Sequence, residues 1–176
     1  MTRDELEHAI RAACDVARDT EVWVFGSQAI LGQYPDAPDA LRRSIEVDLT
    51  PKNHPEMTDR VDGALGQDSP FHATFGFYVH GVPIHEAATL PGDWEDRAIA
   101  VRNANTRWHT GWCLEAHDLA ASKLVAFRDK DREFVRTLLG ERLIGAAALR
   151  ARIDALPVDR EVKERLSTWV ESVGRR

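Results

Sequence analysis

A chain of 176 residues, 43% of them apolar, is long enough to close one hydrophobic core without metal or disulfide staples. Its net charge of −6 excludes a broad non-specific nucleic-acid coat, which needs a basic field. Cys14 and Cys113 stand far apart and outside any CxxC or Cys/His cluster, which argues against a zinc site or a disulfide framework and fits a reducing, cytoplasmic setting. No apolar run of about 18 residues occurs, and Met1 to Leu6 reads as a charged helix start rather than a signal peptide, so a soluble protein without a membrane partner is expected.

In chain order, Leu6, Ile10, Ala13 and Val16 recur at helical spacing and predict an amphipathic helix over Glu5 to Ala17. A strand over Glu21 to Phe25, a short helix over Ser27 to Gln33 and a Pro/Asp loop over Tyr34 to Asp39 follow. Next, Ile45, Val47 and Leu49 alternate with Ser44, Glu46, Asp48 and Thr50 up to Pro51, a strand pattern. Pro55 to Leu65 reads as a helix with Glu56, Asp59 and Asp62 near its exposed face. Phe71 to His80 and Val82 to Ala87, broken at Gly81, predict a β-hairpin. Extended structure is expected over Trp94 to Val101, with a turn at Asn103-Ala104-Asn105. From Glu115 onward the pattern is helical to the end, punctuated at Gly140, Gly145 and Pro157. The expectation is an α+β fold: a mixed sheet with flanking helices over residues 1–113 and a helical part over 114–176. Basic residues crowd that last part (Arg142, Arg150, Arg152, Arg160, Lys163, Arg165, Arg175 and Arg176), but acids are interleaved, so a solvated helix surface is expected.

Two short segments carry chemistry. The period of two puts Glu46 and Asp48 on one strand face, roughly 7 Å apart at their backbones, a platform for a hard cation. Gly26 permits a tight turn, and Ser27 stands at the mouth of a helix whose free N–H groups can hold a phosphate. Further on, Leu124, Phe127, Phe134, Val135 and Leu138 share one helical arc with Asp131 at its middle. A carboxylate in a core stripe needs a partner or a metal. Lys123 and Lys130 flank the arc. On a continuous helix about 12 Å of rise separates Lys123 from Asp131, so the two are expected to point into a shared cleft rather than touch. An ion pair that merely fastens the helix is the alternative.

Other residues carry weaker signals. Glu86 is the nearest candidate for a third acid on a neighbouring strand, and with His85 it also reads as an ordinary surface pair. The seven histidines show no metal-ligand spacing. Trp94, Trp108 and Trp112 lie near Arg97, Arg102 and Arg107, a mixture suited to nucleic acid, though packing is the favoured role for these tryptophans and for Trp23. No nucleophile-elbow pattern appears.

Gly26-Ser27, Glu46-Val47-Asp48, Leu119 to Leu124 with Lys123, and Lys130-Asp131 resemble, in order, the four motifs of the AbiEii-type nucleotidyltransferases of the DNA polymerase β superfamily. His117-Asp118-Leu119 and Phe134-Val135 resemble a sub-branch mostly of unassigned function. The resemblance implies a minimal nucleotidyltransferase fold whose glycine-serine turn holds the nucleotide phosphates at Gly26 and Ser27. It implies that Glu46 and Asp48 hold Mg2+ (or Mn2+), and that Lys123 and Asp131 complete the nucleotide site. It further implies a nucleoside triphosphate substrate, an acceptor such as tRNA, and often a toxin role with a cognate antitoxin. Glu46 stands where the superfamily usually has aspartate. A catalytically silent module of the same fold, binding a partner protein or nucleic acid, is the rival reading. The two part on whether the fold gathers Glu46, Asp48, Lys123 and Asp131 in one open cleft.

Overall fold

The computed structural model describes residues 1–174, and its first element follows from a capping signal. The Thr2 hydroxyl accepts from the Glu5 N–H while the Glu5 carboxylate accepts from the Thr2 N–H, opening helix α1 (Arg3–Ala17) two residues before the predicted start. Strands β1 (Glu21–Phe25), β2 (Glu46–Pro51), β3 (Tyr78–Gly81), β4 (Ile99–Val101) and β5 (Thr110–Cys113) form one mixed sheet in the order β3-β2-β1-β5-β4. β1 runs antiparallel to β2 and parallel to β5, β3 lies parallel to β2, and β4 closes the far edge antiparallel to β5.

Alternation assigns the two faces. Val22, Val24, Val47 and Leu49 are fully buried on the face covered by α1, where Gly111 sits opposite Val22 and leaves the space that Ile10 fills. Trp23, Thr50, Trp112, Glu46 and Asp48 take the other face. There Trp23 packs edge-on to Trp94 at 4.7 Å and near Trp112 at 6.4 Å. Lys52 lies over both Trp23 and Trp112, and Glu21 accepts from Trp112 Nε1. These tryptophans pack, as expected. Trp108 differs: it is 61% exposed with Arg102 against its ring.

Three sequence expectations change. The predicted hairpin over residues 71–87 is instead helix α4 (Pro70–Phe75), strand β3 and the helical turn α5 (Ile84–Ala87). Ser69 caps α4 with Pro70 in its first turn, Gly76 ends it in the left-handed region, and β3 then pairs parallel with β2 and not with the segment after Gly81. Its aromatics pack on His8, whose ring lies 4.4 Å from that of Phe75. Over 94–101 only Ile99–Val101 is extended, since Trp94–Arg97 forms a 3-10 turn. Ile45, placed in the strand by its alternation with Val47 and Leu49, precedes it instead and is 47% exposed.

Helices α2 (Ile30–Gln33) and α3 (Thr58–Leu65) complete the sheet region, and α6 (Ala116–Ala126), α7 (Asp129–Gly140), α8 (Ala146–Asp154) and α9 (Arg160–Gly174) pack together after it. One hydrophobic cluster runs from Leu6 through the sheet to Leu166 and Val170. The basic residues of the last helices are interleaved with acids, as in Arg150–Glu171 at 2.9 Å and Arg160–Glu164 at 2.6 Å. Arg175 and Arg176 lie outside the described residues. No helix among the described residues is long and apolar enough to cross a membrane.

Candidate active site

The chain leaves β1 at Gly26 with φ 76° and ψ −173°, a conformation open to glycine. A second constraint is spatial: a Cβ here would stand 1.8 Å from Asp48 Oδ2. β1 and β2 are in register at Phe25 and Asp48, so this turn brings Ser27 directly beside the acidic strand. The helix that follows is short, a 3-10 turn over Ser27–Ala29 and the four residues of α2, so its dipole adds little to phosphate binding.

Glu46 and Asp48 share one face of β2, as alternation requires. The parallel register of β3 places His80 beside Asp48, with Nδ1 2.9 Å from Asp48 Oδ1 and 3.2 Å from Glu46 Oε1. Tyr78, two residues earlier on the same strand, donates its hydroxyl to Glu46 Oε2 at 3.1 Å. Ligand atoms of Glu46, Asp48 and His80 all lie within 4.8 Å of one another. Two carboxylates and an imidazole at that separation fit a divalent cation. Burial pushes the Asp48 carboxyl up to about 6, with the Glu46 charge adding to the rise and the His80 hydrogen bond opposing it. Burial alone would lower the His80 imidazole, but its hydrogen bond to Asp48 and the charges of Asp48 and Glu46 outweigh that and raise it.

The predicted long helix after Glu115 is broken. Phe127 takes a left-handed φ of 53° and ends α6; Arg128 then starts α7. The break folds Asp131 back toward α6, so Lys123 Nζ comes within 3.5 Å of Asp131 Oδ1, where an unbroken helix would hold the two apart. Arg128, which the sequence reading passed over, makes the shorter contact, Nε to Asp131 Oδ2 at 2.6 Å. Asp131 is only 1% exposed and lies behind both cations. Burial lowers the Lys123 pKa despite the opposing charges of Asp131 and Asp48. Lys130, the other predicted partner of Asp131, makes no ion pair among the described residues.

A cleft of about 380 Å³ is lined by Gly26, Ser27, Glu46, Asp48, His80 and Lys123, together with Arg128 and Lys130. Of the four residues named in the sequence reading, Glu46, Asp48 and Lys123 therefore face one cleft, and Asp131 supports it from beneath. A larger hollow of about 620 Å³ between α7 and α9, lined by Arg136, Leu139 and Trp169 among others, shows no carboxylate in its lining among the described residues.

A family model described as nucleotidyltransferase of unknown function (DUF6036) matches residues 5–169. The chain belongs to that family. No match was found among the curated proteins or among the solved structures. Membership in the nucleotidyltransferases implies a nucleotide substrate, and the matched span takes in the turn at Gly26, the acidic strand, and Lys123 with Asp131.

Within this nucleotidyltransferase, several residues serve structure instead. Glu86 does not join the acids; it lies on the surface with His85 Nε2 3.8 Å from its Oε1. Arg97 is not free for phosphate, because it forks onto the fully buried Asp118 at 2.8 and 3.0 Å, and Arg152 approaches the same carboxylate at 3.2 Å. Glu115 caps α6, accepting from the N–H groups of His117 and Asp118, and His117 Nε2 accepts from the Gly145 N–H, joining α6 to the start of α8. His80 was the main omission. It stands 32 residues from Asp48, and only the β2–β3 register brings the two together.

Proposed function

We propose that this cleft carries out metal-dependent nucleotidyl transfer. A hydroxyl of an acceptor attacks the α-phosphorus of a nucleoside triphosphate, the new O–P bond forms as the bond to the bridging oxygen breaks, the hydroxyl proton passes to solvent, and pyrophosphate leaves. The observation that carries the reading is the convergence of the acids, the Gly26-Ser27 turn and Lys123 on one cleft in a chain of this family. Glu46 and Asp48 would hold the cation, with His80 beside them. When bound, a Mg2+ or Mn2+ ion neutralises phosphate charge and acidifies the attacking hydroxyl.

The chain's own residues supply the rest. Gly26 lets the Ser27 turn approach Asp48, so the triphosphate and the acids share one short space. Lys123 meets the negative phosphates, and its partly apolar setting strengthens that attraction. Asp131 aims Lys123 and Arg128 by pairing with both. Residues 114–176 act as the part that completes the nucleotide cleft begun by residues 1–113.

The resemblance to AbiEii-type proteins supports a narrower version, in which tRNA is the acceptor and the chain is the toxin of a toxin–antitoxin pair. Overproduction then arrests growth, and Asp48→Ala relieves the arrest at equal protein abundance. Unimpaired growth with abundant soluble parent protein would contradict the toxin version. For the transfer itself, nucleotide binding is the test: a triphosphate should bind the parent only with a divalent ion, and Asp48→Ala should abolish that ion-dependent binding.

A further inference from the structure

The position beside the two acids is taken by an imidazole. His80 Nδ1 faces both carboxylates, at 2.9 Å from Asp48 and 3.2 Å from Glu46, and β3 holds it there by backbone register with β2. Its ring is half exposed on the cleft side, and Tyr78 secures the far oxygen of Glu46. No third carboxylate joins this cluster among the described residues. A nitrogen donor alters which ion the cluster favours. Mg2+ is small and hard, prefers six oxygens at near-ideal octahedral geometry, and gains little from imidazole. First-row transition ions accept imidazole readily, and among them Mn2+ also suits carboxylate oxygen and water.

We propose that His80 is a metal ligand that makes the Glu46–Asp48 cluster selective for Mn2+ over Mg2+. This rests on the reading of the cleft as a divalent-cation site and names the ion that the site prefers. Binding draws Glu46, Asp48 and His80 Nδ1 onto one ion, and His80 exchanges its contacts with the carboxylates for the bond to the metal. The donor set then consists of two side-chain oxygens and one nitrogen, the remaining positions being left to water and phosphate.

Electron-spin-echo spectroscopy of the full chain loaded with Mn2+ alone tests this, alongside calorimetric titrations with Mn2+ and with Mg2+. The parent should show 14N coupling to manganese. His80→Asp, which puts an oxygen donor in place of the nitrogen, should lose the coupling and narrow the Mn2+-over-Mg2+ affinity ratio by about tenfold or more, the scale on which even outer-shell changes act. His80→Ala, checked by its melting curve for folding, should lose the coupling as well and weaken Mn2+ more than Mg2+. An uncoupled manganese signal in the parent, or an unchanged affinity ratio in both variants, would overturn the assignment while leaving the cation site standing. Absence of binding by either ion, with or without a non-hydrolysable triphosphate, would overturn the assignment and the proposed function together.

Discussion

Gly26 and Asp48 are one structural unit, because the hydrogen of the glycine is replaced by nothing larger without striking the carboxylate. Gly26→Ala should cost about 1–3 kcal/mol through overpacking and a strained φ, and should also displace Asp48, so that metal-dependent triphosphate binding falls with it. Chemical denaturation and calorimetry on the same variant check both. Protons compete for the same groups: Asp48 takes one below about 6, and His80 is raised by its acidic neighbours. Divalent-ion affinity should therefore climb as pH rises through about 6, where Asp48 loses its proton, and go on climbing until His80, raised above its ordinary value, has lost its own; a flat profile from acid to neutral pH would mean that these groups do not bind the ion. Asp131 has the opposite character, a buried carboxylate that two cations share. Asp131→Asn strips Lys123 of its counter-charge in a partly apolar setting and should cost about 3 kcal/mol, the low end for a broken buried pair. Triphosphate affinity should fall as well, since an uncompensated Lys123 gives up its proton more readily. A variant that melts like the parent and binds like it would refute the supporting role.

At the scale of elements, the α1–β1 corner shows how a loop is fixed to the sheet. Asp19 accepts from the backbone N–H groups of Glu21, Asn53 and His54 and from Asn53 Nδ2, at 2.7 to 3.0 Å. Burial would raise its carboxyl, but the Asn53 side chain and these N–H groups outweigh burial and hold it below the ordinary carboxylate value. Because the folded pKa is the lower one, the contribution is fully present above about pH 4 and is lost as pH falls through the folded value. Asp19→Asn should cost about 1.5–3 kcal/mol at neutral pH, with the gap to the parent closing in acid, as urea unfolding at both pH values would reveal. Sequence patterning served the elements unevenly, for physical reasons. Strand β1 and the Glu46/Asp48 face were legible because a half-buried strand must alternate, and α1 because its apolar stripe repeats at helical spacing. The break at Phe127 was not, since a left-handed phenylalanine carries none of the glycine or asparagine signals that mark a helix end. The 71–87 segment misled through its aromatics, which pack a helix on His8 instead of pairing strands. His80 and Arg128 joined the site through register and through the helix break, neither of which local sequence states.

Across the whole molecule, the sheet supplies the acids from one side and the helices after Glu115 supply Lys123 and Arg128 from the other, and the cleft lies where they meet. Integrity of that junction rests partly on Asp118, fully buried between Arg97 of the sheet region and Arg152 of α8. Were the acceptor a polyanion, the net charge of −6 would offer it no general attraction, so its binding should depend on local cations such as Lys123, Arg128 and Lys130 beside the cleft. Nucleotidyl transfer itself is read by incubating the pure chain with each α-labelled nucleoside triphosphate, total cellular RNA and soluble protein, with Mn2+ or Mg2+ present. Label should pass to an acceptor with the parent chain and not with Asp48→Ala. No labelled acceptor from any triphosphate with either ion, from protein that is folded and soluble, would contradict it.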